Sequence, residues 1–544
     1  MSGRRRTMCA PESPAIGIKE RRDEGEQRVA TGIVIAPASL SAPASGSAGA
    51  ITDPTGTTRS RCTSERSSVV LLALSVLALH LATNGLYGYH RDELYYLDSA
   101  RHLTWGFVDY PPITPAIARL SEVLFGNSVW GLRLWPSLAG SAMIILSAQI
   151  ARELGGGRTA RLLAAFSAAA SPVLLGSNWL FETVTFDQLA WLVCFWLTAR
   201  IVRTGDRRLW VALGACVGAG LETKYTILAL VGGLIAAIAL TPLRRHLRSP
   251  QPWVGLAVAL LIVCPNVIWQ AAHGWPSVDY TVSHHAAQAG DFGPLTFLTS
   301  QLALIGPLAI PVWLGGWYWL LSGRGRALGI AALVVFAVFL FAGKGYYIGP
   351  LHPLLMAAGM CGIEAWTRRR VSWLRSTAII ALLLQAAVLL PIAMPVIPEP
   401  LMARSVLPSI RTDFADTVGW PDLVAEIDAV YRQMPALARS PMILTGNYGE
   451  AGAVNTYGPS LGLPIAVSGE LSYYYWRPAR VSGSVIAVGL GAAFLSTLFD
   501  GCSTVGMVSN QFGLHNQESG APIVVCARPR VTVDKLWTAL KSFQ

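Results

Sequence analysis

The chain of 544 residues is far more apolar than a soluble protein of that length, because 53% of its residues are hydrophobic and 13% are charged. The composition therefore predicts an integral membrane protein. The formal net charge of +11 does not indicate nucleic-acid binding, because the basic residues are spread over short loops that a membrane topology explains.

The N-terminal segment, residues 1–65, differs from the rest of the chain. Arg, Ser, Gly, Ala, Pro and Thr dominate it, and it contains no long apolar stretch before a cleavage site, which a signal peptide would require. We therefore expect a disordered cytoplasmic tail.

Apolar runs long enough to cross a bilayer, roughly 17 to 25 residues each, recur between residues 68 and 394. They predict an all-α transmembrane domain over residues 66–397 with about eleven spans. The spans are expected near residues 68–88, 130–150, 159–176, 186–202, 208–222, 225–241, 253–271, 295–321, 327–342, 347–365 and 376–396.

The short loops predict the orientation of these spans. Arginines follow every even-numbered span, as in the loops that contain Arg200 and Arg203 or Arg244 and Arg245. The positive-inside rule places such loops, and with them the N-terminus, in the cytoplasm. The chain is therefore predicted to cross the plasma or inner membrane many times.

The opposite face of the predicted bundle collects most of the remaining ionisable residues. Charges at or just inside the membrane interface are costly and tend to mark functional sites. The residues expected at this extracytoplasmic face are Arg91, Asp92, Glu93, Asp109, Glu182, Asp187, Glu222, Lys224, His284, His285 and Lys344, with the neighbouring Tyr346 and Tyr347. Their position on one face predicts an active site there.

The first outer loop begins with "YHRDELYYLD", residues 89–98. The following "LYYLDSARHLTWG" has the spacing of an amphipathic helix suited to the membrane interface. The segment "DYPPITPAIARLSEVLFG" then offers a Pro-Pro break and a second short amphipathic helix. Two such helices are expected to hold the carboxylates of the loop at the boundary between water and lipid.

Residues 398–544 combine short apolar β-type runs with helical stretches such as "WPDLVAEIDAVYRQM". They predict an α/β domain, which an odd number of spans places outside the cell. The glycine-rich "NYGEAGAVNTYG" is either a ligand loop or a turn between a strand and a helix. An oxidising compartment would permit a disulfide between Cys502 and Cys526, but spacing alone does not decide it.

The order of "HRDELYYLDSARHLTWGFVDYPP", "GLETKYT" and "GKGYYIGPLHPLL" resembles one family of polyprenyl-phosphate-sugar glycosyltransferases. It includes bacterial protein O-mannosyltransferases, the lipid A aminoarabinose transferase and the rhizobial lipopolysaccharide galacturonosyltransferases. The resemblance covers roughly residues 68–400 and implies the membrane fold called GT-C. It also implies transfer of a sugar from a polyprenyl-monophosphate donor to a hydroxyl of an extracytoplasmic protein, lipid or cell-wall glycan.

The resemblance implies roles for individual residues. Asp92 and Glu93 match the acidic pair of the first outer loop, whose Asp position acts as general base or contacts the acceptor. The donor phosphate is expected to contact Arg91, Lys224, Lys344, Tyr346 and Tyr347, with Asp109, Glu182, Asp187, Glu222, His284 and His285 lining the site. Several relatives place Glu-Lys before Pro-Pro, whereas this chain has Asp109 and Tyr110, so the lysine of that element is absent.

The expected chemistry needs these residue types. A carboxylate can accept the proton of the acceptor hydroxyl. Cations around the leaving phosphate stabilise the transition state more than the ground state, because the phosphate gains negative charge as its bond to the sugar breaks. A single displacement of this kind inverts the anomeric centre.

A divalent metal ion is the cofactor that the resemblance leaves open. Some relatives hold such an ion with a carboxylate and a histidine from equivalent loops, and Asp109 with His284 or His285 is the corresponding set. Adjacent histidines do not face the same way on a helix or strand, so at most one of them is expected to point into a cavity. No spaced His or Asp cluster in the sequence requires a metal.

Simpler explanations exist for each residue and for the whole chain. The acids can terminate or cap helices, and Lys224 and Lys344 can extend towards the interface from apolar surroundings. A secondary transporter would place charges near the bilayer midplane in an internal repeat, and the sequence shows neither. A membrane scaffold or sensor acting through its outer domain would not need the acids and lysines together.

Overall fold

The computed structural model describes residues 56–288, 290, 293–323, 325–368, 373–434, 441–481 and 483–543. Most of the predicted tail, up to residue 55, lies outside the described residues. The first helix, Gly56–Thr83, begins within the end of that predicted tail.

Helices α1 to α16 precede the C-terminal domain. The first eight are α1 Gly56–Thr83, α2 Arg91–Arg101, α3 Ile113–Phe125, α4 Val129–Glu153, α5 Arg158–Ala169, α6 Pro172–Ser177, α7 Thr183–Thr204 and α8 Leu209–Leu221. The others are α9 Ile227–Leu240, α10 Pro250–Ala272, α11 Pro276–Ala287, α12 Pro294–Ile305, α13 Ile310–Ser322, α14 Arg326–Ala342, α15 Leu351–Thr367 and α16 Trp373–Ala393. Each predicted span overlaps at least one of these helices.

Four helical segments are long and apolar enough to cross a membrane, and the number rises to six when two bent helix pairs are each counted as one span. The four are Arg66–Thr83, Val129–Glu153, Pro250–Ala272 and Trp373–Ala393. These counts refer to the described residues and to length and composition. The predicted number of about eleven spans stays a prediction.

The predicted span 295–321 is a broken helix rather than a straight one. Its two halves meet at an angle of 90°, where Gly306 has a φ of +81°. The amide of Gln385 takes up backbone groups that the break frees, donating to Ile305 O and accepting from the N–H of Leu308. A break inside a membrane requires such partners, because lipid offers none.

The two predicted helices of the first outer loop are present as α2 and α3. The side chain of His90 caps α2, and Glu93 reaches back to the His90 N–H in a capping box. Residues 93–100 of α2 are buried, and the C-terminal domain packs against this helix. The predicted position of α2 at the boundary between water and lipid stays a prediction.

The C-terminal domain is an α/β unit, as predicted. Its helices are α17 Glu399–Ala403, α18 Leu407–Ile410, α19 Thr412–Ala415, α20 Trp420–Gln433, α21 Tyr448–Tyr457, α22 Ala492–Leu495 and α23 Val533–Leu540. Its strands are β1 Met442–Thr445, β2 Ala466–Ser468, β3 Val485–Val488, β4 Phe499–Asp500, β5 Ser503–Met507, β6 Pro522–Cys526 and β7 Arg528–Pro529. The main sheet has the order β2-β1-β3-β6-β5, with β1 parallel to β2 and β3. Cys502 and Cys526 form a disulfide.

The two faces of this sheet pack on different parts of the molecule. In β3, Val485 and Ala487 belong to a core made within the C-terminal domain. The alternate residues Ile486 and Val488 share a core with side chains of α2, among them Leu94. Because successive residues of a strand point to opposite faces, the sheet joins its own core on one side to the first outer loop on the other.

Candidate active site

The carboxylate of Asp92 lies at the junction between α2 and the C-terminal domain. Its Oδ1 accepts a hydrogen bond of 2.7 Å from the hydroxyl of Tyr448, the first residue of α21. The guanidinium of Arg91 lies over the Tyr448 ring, 4.8 Å from its centroid. The side chains of these three residues are half-buried, so they combine partial desolvation with access from outside.

Further acidic groups surround Asp92. Burial and the nearby charge of Asp92 raise the pKa of the Glu182 carboxyl to about 7, whereas Lys224 acts on it in the opposite direction. Burial disfavours a charge on His90, but its acidic neighbours, Asp92 first among them, raise the pKa of the imidazole. Glu182 thus lies within electrostatic reach of both Asp92 and Lys224.

Lys224 follows α8 and meets the "GKGYYIGP" segment, as the sequence predicts for a shared site. Its Nζ lies 5.6 Å from the ring centroids of both Tyr346 and Tyr347. Nearby, Asp187 accepts hydrogen bonds from Trp191 and Thr226 within the helical bundle. An ammonium group over two aromatic rings is attracted to them, and it presents a positive charge next to the group of acids around Asp92.

Lys344 is held by a different element. Its Nζ lies 3.4 Å from His284 Nε2, and it also donates to Gln288, at the end of α11. The ring of Tyr280, one turn away on the same helix, is tilted against that of His284 with 5.1 Å between the ring centroids, whereas His285 is exposed. The two candidate lysines thus lie in separate local environments.

Glu93 occupies a closed environment. Its side chain and that of Arg133 are both fully buried and form an ion pair of 2.7 Å. Glu93 Oε1 also accepts from the Phe181 N–H and Oε2 from the His90 N–H. Arg133 and the two backbone N–H groups together donate two hydrogen bonds to each oxygen of Glu93. No lone pair of this carboxylate is left to accept a substrate proton.

Asp109 and Glu222 lie to the side of Asp92. Asp109 Oδ1 accepts from the Tyr95 hydroxyl at 2.9 Å, and burial raises the pKa of the Asp109 carboxyl to about 8. Glu222 ends α8, and its backbone carbonyl accepts from the Ile113 N–H of α3. Its buried carboxylate accepts no hydrogen bond within the described part of the chain.

The metal set suggested by the resemblance is not assembled among the described residues. There, His90, Asp92 and Glu182 form the one group of three whose ligand atoms come within 4.8 Å of one another, and Asp109, His284 and His285 do not belong to it. In this group, His90 Nδ1 accepts the Asp92 N–H at 3.3 Å, so this nitrogen takes part in the cap of α2.

Several residues of the site are not evident from the sequence. Tyr448 and Glu470 come from the C-terminal domain, and the Tyr448 N–H donates to Glu470 Oε2 at 2.7 Å. Arg133, the partner of Glu93, lies inside a predicted span. The signal for Tyr448 is its place in "NYGEAGAVNTYG", which composition alone explains equally well as a turn.

Comparisons with known proteins agree with this architecture. Residues 109–269 match the family of dolichyl-phosphate-mannose-protein mannosyltransferases. The lipid A galacturonosyltransferase RgtD of Rhizobium johnstonii is 26% identical over 242 residues, which make up 43% of this chain and 50% of RgtD. The chain therefore spans half the length of this relative.

Solved structures match over most of the chain. ArnT from Cupriavidus metallidurans bound to undecaprenyl phosphate has a TM-score of 0.55 at 16% identity, over 84% of this chain and 97% of ArnT. The apo form of ArnT has a TM-score of 0.57 at 17% identity, over 86% and 98%. The chain has the fold of ArnT. The predicted resemblance and the predicted GT-C architecture with a small C-terminal sheet domain are confirmed.

Proposed function

We propose that this chain is a membrane glycosyltransferase that moves a sugar from a polyprenyl-monophosphate donor to a hydroxyl of an extracytoplasmic acceptor. The observation that carries the proposal is that the Glu182 carboxylate comes within 4.8 Å of Asp92 and within electrostatic reach of Lys224, which brings a candidate base and a candidate phosphate-binding cation to one site. The relatives support the donor class, since one ArnT structure contains undecaprenyl phosphate.

In the proposed reaction, Asp92 accepts the proton of the acceptor hydroxyl as its oxygen attacks the anomeric carbon of the sugar. The bond between that carbon and the phosphate oxygen breaks, and the polyprenyl phosphate leaves with the bonding electrons. Lys224 stabilises the charge that builds up on the phosphate, with Arg91 as a second cation near Asp92. The displacement inverts the anomeric centre and leaves Asp92 protonated.

The outer side of the membrane is the proposed location of this site. The Cys502–Cys526 disulfide of the C-terminal domain supports it, because disulfides persist in oxidising compartments. The same domain contributes Tyr448 to the surroundings of Asp92, so the site and the disulfide belong to one side. The arginine-rich loops support the same orientation.

Transfer of radiolabelled sugar from a panel of polyprenyl-phosphate donors, in membranes that contain the wild-type protein or Asp92→Asn, tests the proposal. We expect label in an acceptor with the wild type and its loss with Asp92→Asn. Glu122→Gln is the matched control, since Glu122 is an acid of the same loop that pairs with Arg101 and Arg119. Equal label with wild type and Asp92→Asn would remove Asp92 from the mechanism, and no label from any donor would contradict the function.

A further inference from the structure

The hydroxyl of Tyr448 is held in place from several directions. Its ring has Arg91 over one face and lies 5.1 Å from the Tyr95 ring, and its N–H is bound to Glu470. The side chain of Asn447 caps α21, with Glu450 completing a capping box. A tyrosine fixed at both backbone and ring presents its hydroxyl at one position, and that position is 2.7 Å from Asp92 Oδ1.

Two glycines of α21 bring this hydroxyl within reach of Asp92. A Cβ at Gly452 would lie 2.8 Å from Leu94 Cβ, and a Cβ at Gly449 would lie 3.2 Å from Arg91 Cβ. Both helices therefore approach more closely than larger residues allow. The glycines of "NYGEAGAVNTYG" serve close packing, while the tyrosine among them contacts the candidate site.

We propose that Tyr448 is a positioning residue for Asp92, and that the C-terminal domain is part of the catalytic unit for this reason. This inference rests on the proposed function. The hydroxyl donates to Oδ1, which fixes the orientation of the carboxylate. Oδ2 accepts no hydrogen bond from the described residues, so it remains available to an acceptor hydroxyl.

The hydrogen bond from Tyr448 distinguishes this residue from the other groups around Asp92. The titratable and charged groups that face Asp92 are His90, Arg91, Tyr96, Asp109, Glu182, Tyr280, Asp416, Tyr448 and Glu470. Tyr448 alone among them donates a side-chain hydrogen bond to Asp92 in the described part of the chain.

Tyr448→Phe isolates this effect, because it keeps the ring against Arg91 and Tyr95 and removes only the hydroxyl. Tyr473→Phe is the matched control. Tyr473 also belongs to the C-terminal domain, its ring also stacks near Tyr95, and its hydroxyl donates to another acid of α2, Asp98. Both variants lose one tyrosine–aspartate hydrogen bond at the same domain junction, but only one loses it at Asp92.

The measurement is the rate of sugar transfer per folded molecule over a range of donor concentrations, in detergent-solubilised full-length protein. For Tyr448→Phe we expect kcat to fall about 10-fold, the size of one hydrogen bond to a charged group, with the KM for the donor unchanged. Tyr473→Phe is expected to keep the wild-type kcat and KM.

Two results would overturn the inference while the proposed function stands. One is a kcat of Tyr448→Phe equal to that of an active wild type, and the other is an equal loss of kcat in Tyr473→Phe, which would show a role for the junction as a whole. A wild type that transfers no sugar overturns the proposed function itself and the inference with it.

Discussion

The two sides of α2 carry acids that are neighbours in sequence and differ in almost every physical property. On one side, Glu93 is fully buried, and Arg133 and two backbone N–H groups satisfy its oxygens. On the other, Asp92 is half-buried, and the Tyr448 hydroxyl donates to one of its oxygens. The first arrangement satisfies a carboxylate inside the protein, and the second leaves an oxygen for the proposed chemistry. The degree of hydrogen bonding, rather than residue type, separates the roles.

The largest expected effect is a loss of stability in Arg133→Leu, which breaks the buried Glu93–Arg133 ion pair. Arg133 also donates to the carbonyls of Asn84, Tyr87 and Gly88, so its loss leaves the buried carboxylate of Glu93 without its counter-ion and removes a donor from three carbonyls. Removing one member of a buried ion pair costs about 3–5 kcal/mol, a large part of a typical stability of about 5–15 kcal/mol. We expect thermal unfolding in detergent to detect little folded Arg133→Leu protein.

The double variant Arg133→Leu with Glu93→Leu sharpens this expectation. It removes the unpaired charge, so it should unfold at a higher temperature than Arg133→Leu alone. An Arg133→Leu protein that unfolds at the wild-type temperature would contradict a structural role for the pair.

At the half-buried acid, Asp92→Asn should reduce the rate of sugar transfer on the order of 100- to 10,000-fold, the usual contribution of a general base. The unfolding temperature of this variant should stay close to that of the wild type. Glu93→Gln provides the contrast, since it should lower stability and leave the rate per folded molecule largely intact. Both quantities come from thermal unfolding and the transfer assay on the same preparations. If Asp92→Asn lost stability and Glu93→Gln lost turnover, the assignment of the two sides would be reversed.

The two lysines extend the comparison to the phosphate side. Lys224→Met is expected to reduce transfer on the order of 100-fold, as when one group that stabilises a developing anion is removed. Lys344→Met should have a smaller effect, because Lys344 is engaged with His284 and Gln288 of α11. Donor titrations in the transfer assay compare the two variants. Equal losses would place both lysines at the phosphate.

Much of this arrangement can be predicted from the sequence, because some signals are local. Span lengths predict the helical bundle, and alternating apolar runs predict the C-terminal sheet. Through the resemblance, the "GLETKYT" and "GKGYYIGP" segments predict one shared site, and the structure brings Lys224 to the rings of Tyr346 and Tyr347. These features depend on periodicity or on a motif that stands in the sequence as a unit.

The remainder depends on contacts between distant segments. Tyr448 and Asp92 are 356 residues apart, and no periodicity reports that one meets the other. The partnership of Glu93 with Arg133 is hidden in the same way, because a lone arginine near the start of a predicted span resembles an anchor at the interface. A sequence therefore shows which acids lie on one face. Contacts with distant residues decide which carboxylate has both oxygens hydrogen-bonded and which has an oxygen left for a substrate.

Asp109 tests whether the first outer loop contains a second acid able to act as a base beside Asp92. Its substitution is expected to have the smallest effect, a change in how stability depends on pH. Burial raises the pKa of its carboxyl to about 8, above the value of about 4 of an unfolded chain. Between these values the folded protein holds a proton that the unfolded chain has released, so stability should fall as the pH rises from about 4 to about 8.

Asp109→Asn should flatten that slope, because an amide can still accept the hydrogen bond of Tyr95 and carries no proton to lose. Unfolding temperatures measured across this pH range compare the variant with the wild type and with Asp279→Asn, which changes an exposed acid of α11. If the Asp109→Asn slope matched that of the wild type, Asp109 would be ionised in the folded protein at neutral pH. It would then belong with Asp92 among the groups able to accept a substrate proton, and the first outer loop would contain two candidate bases.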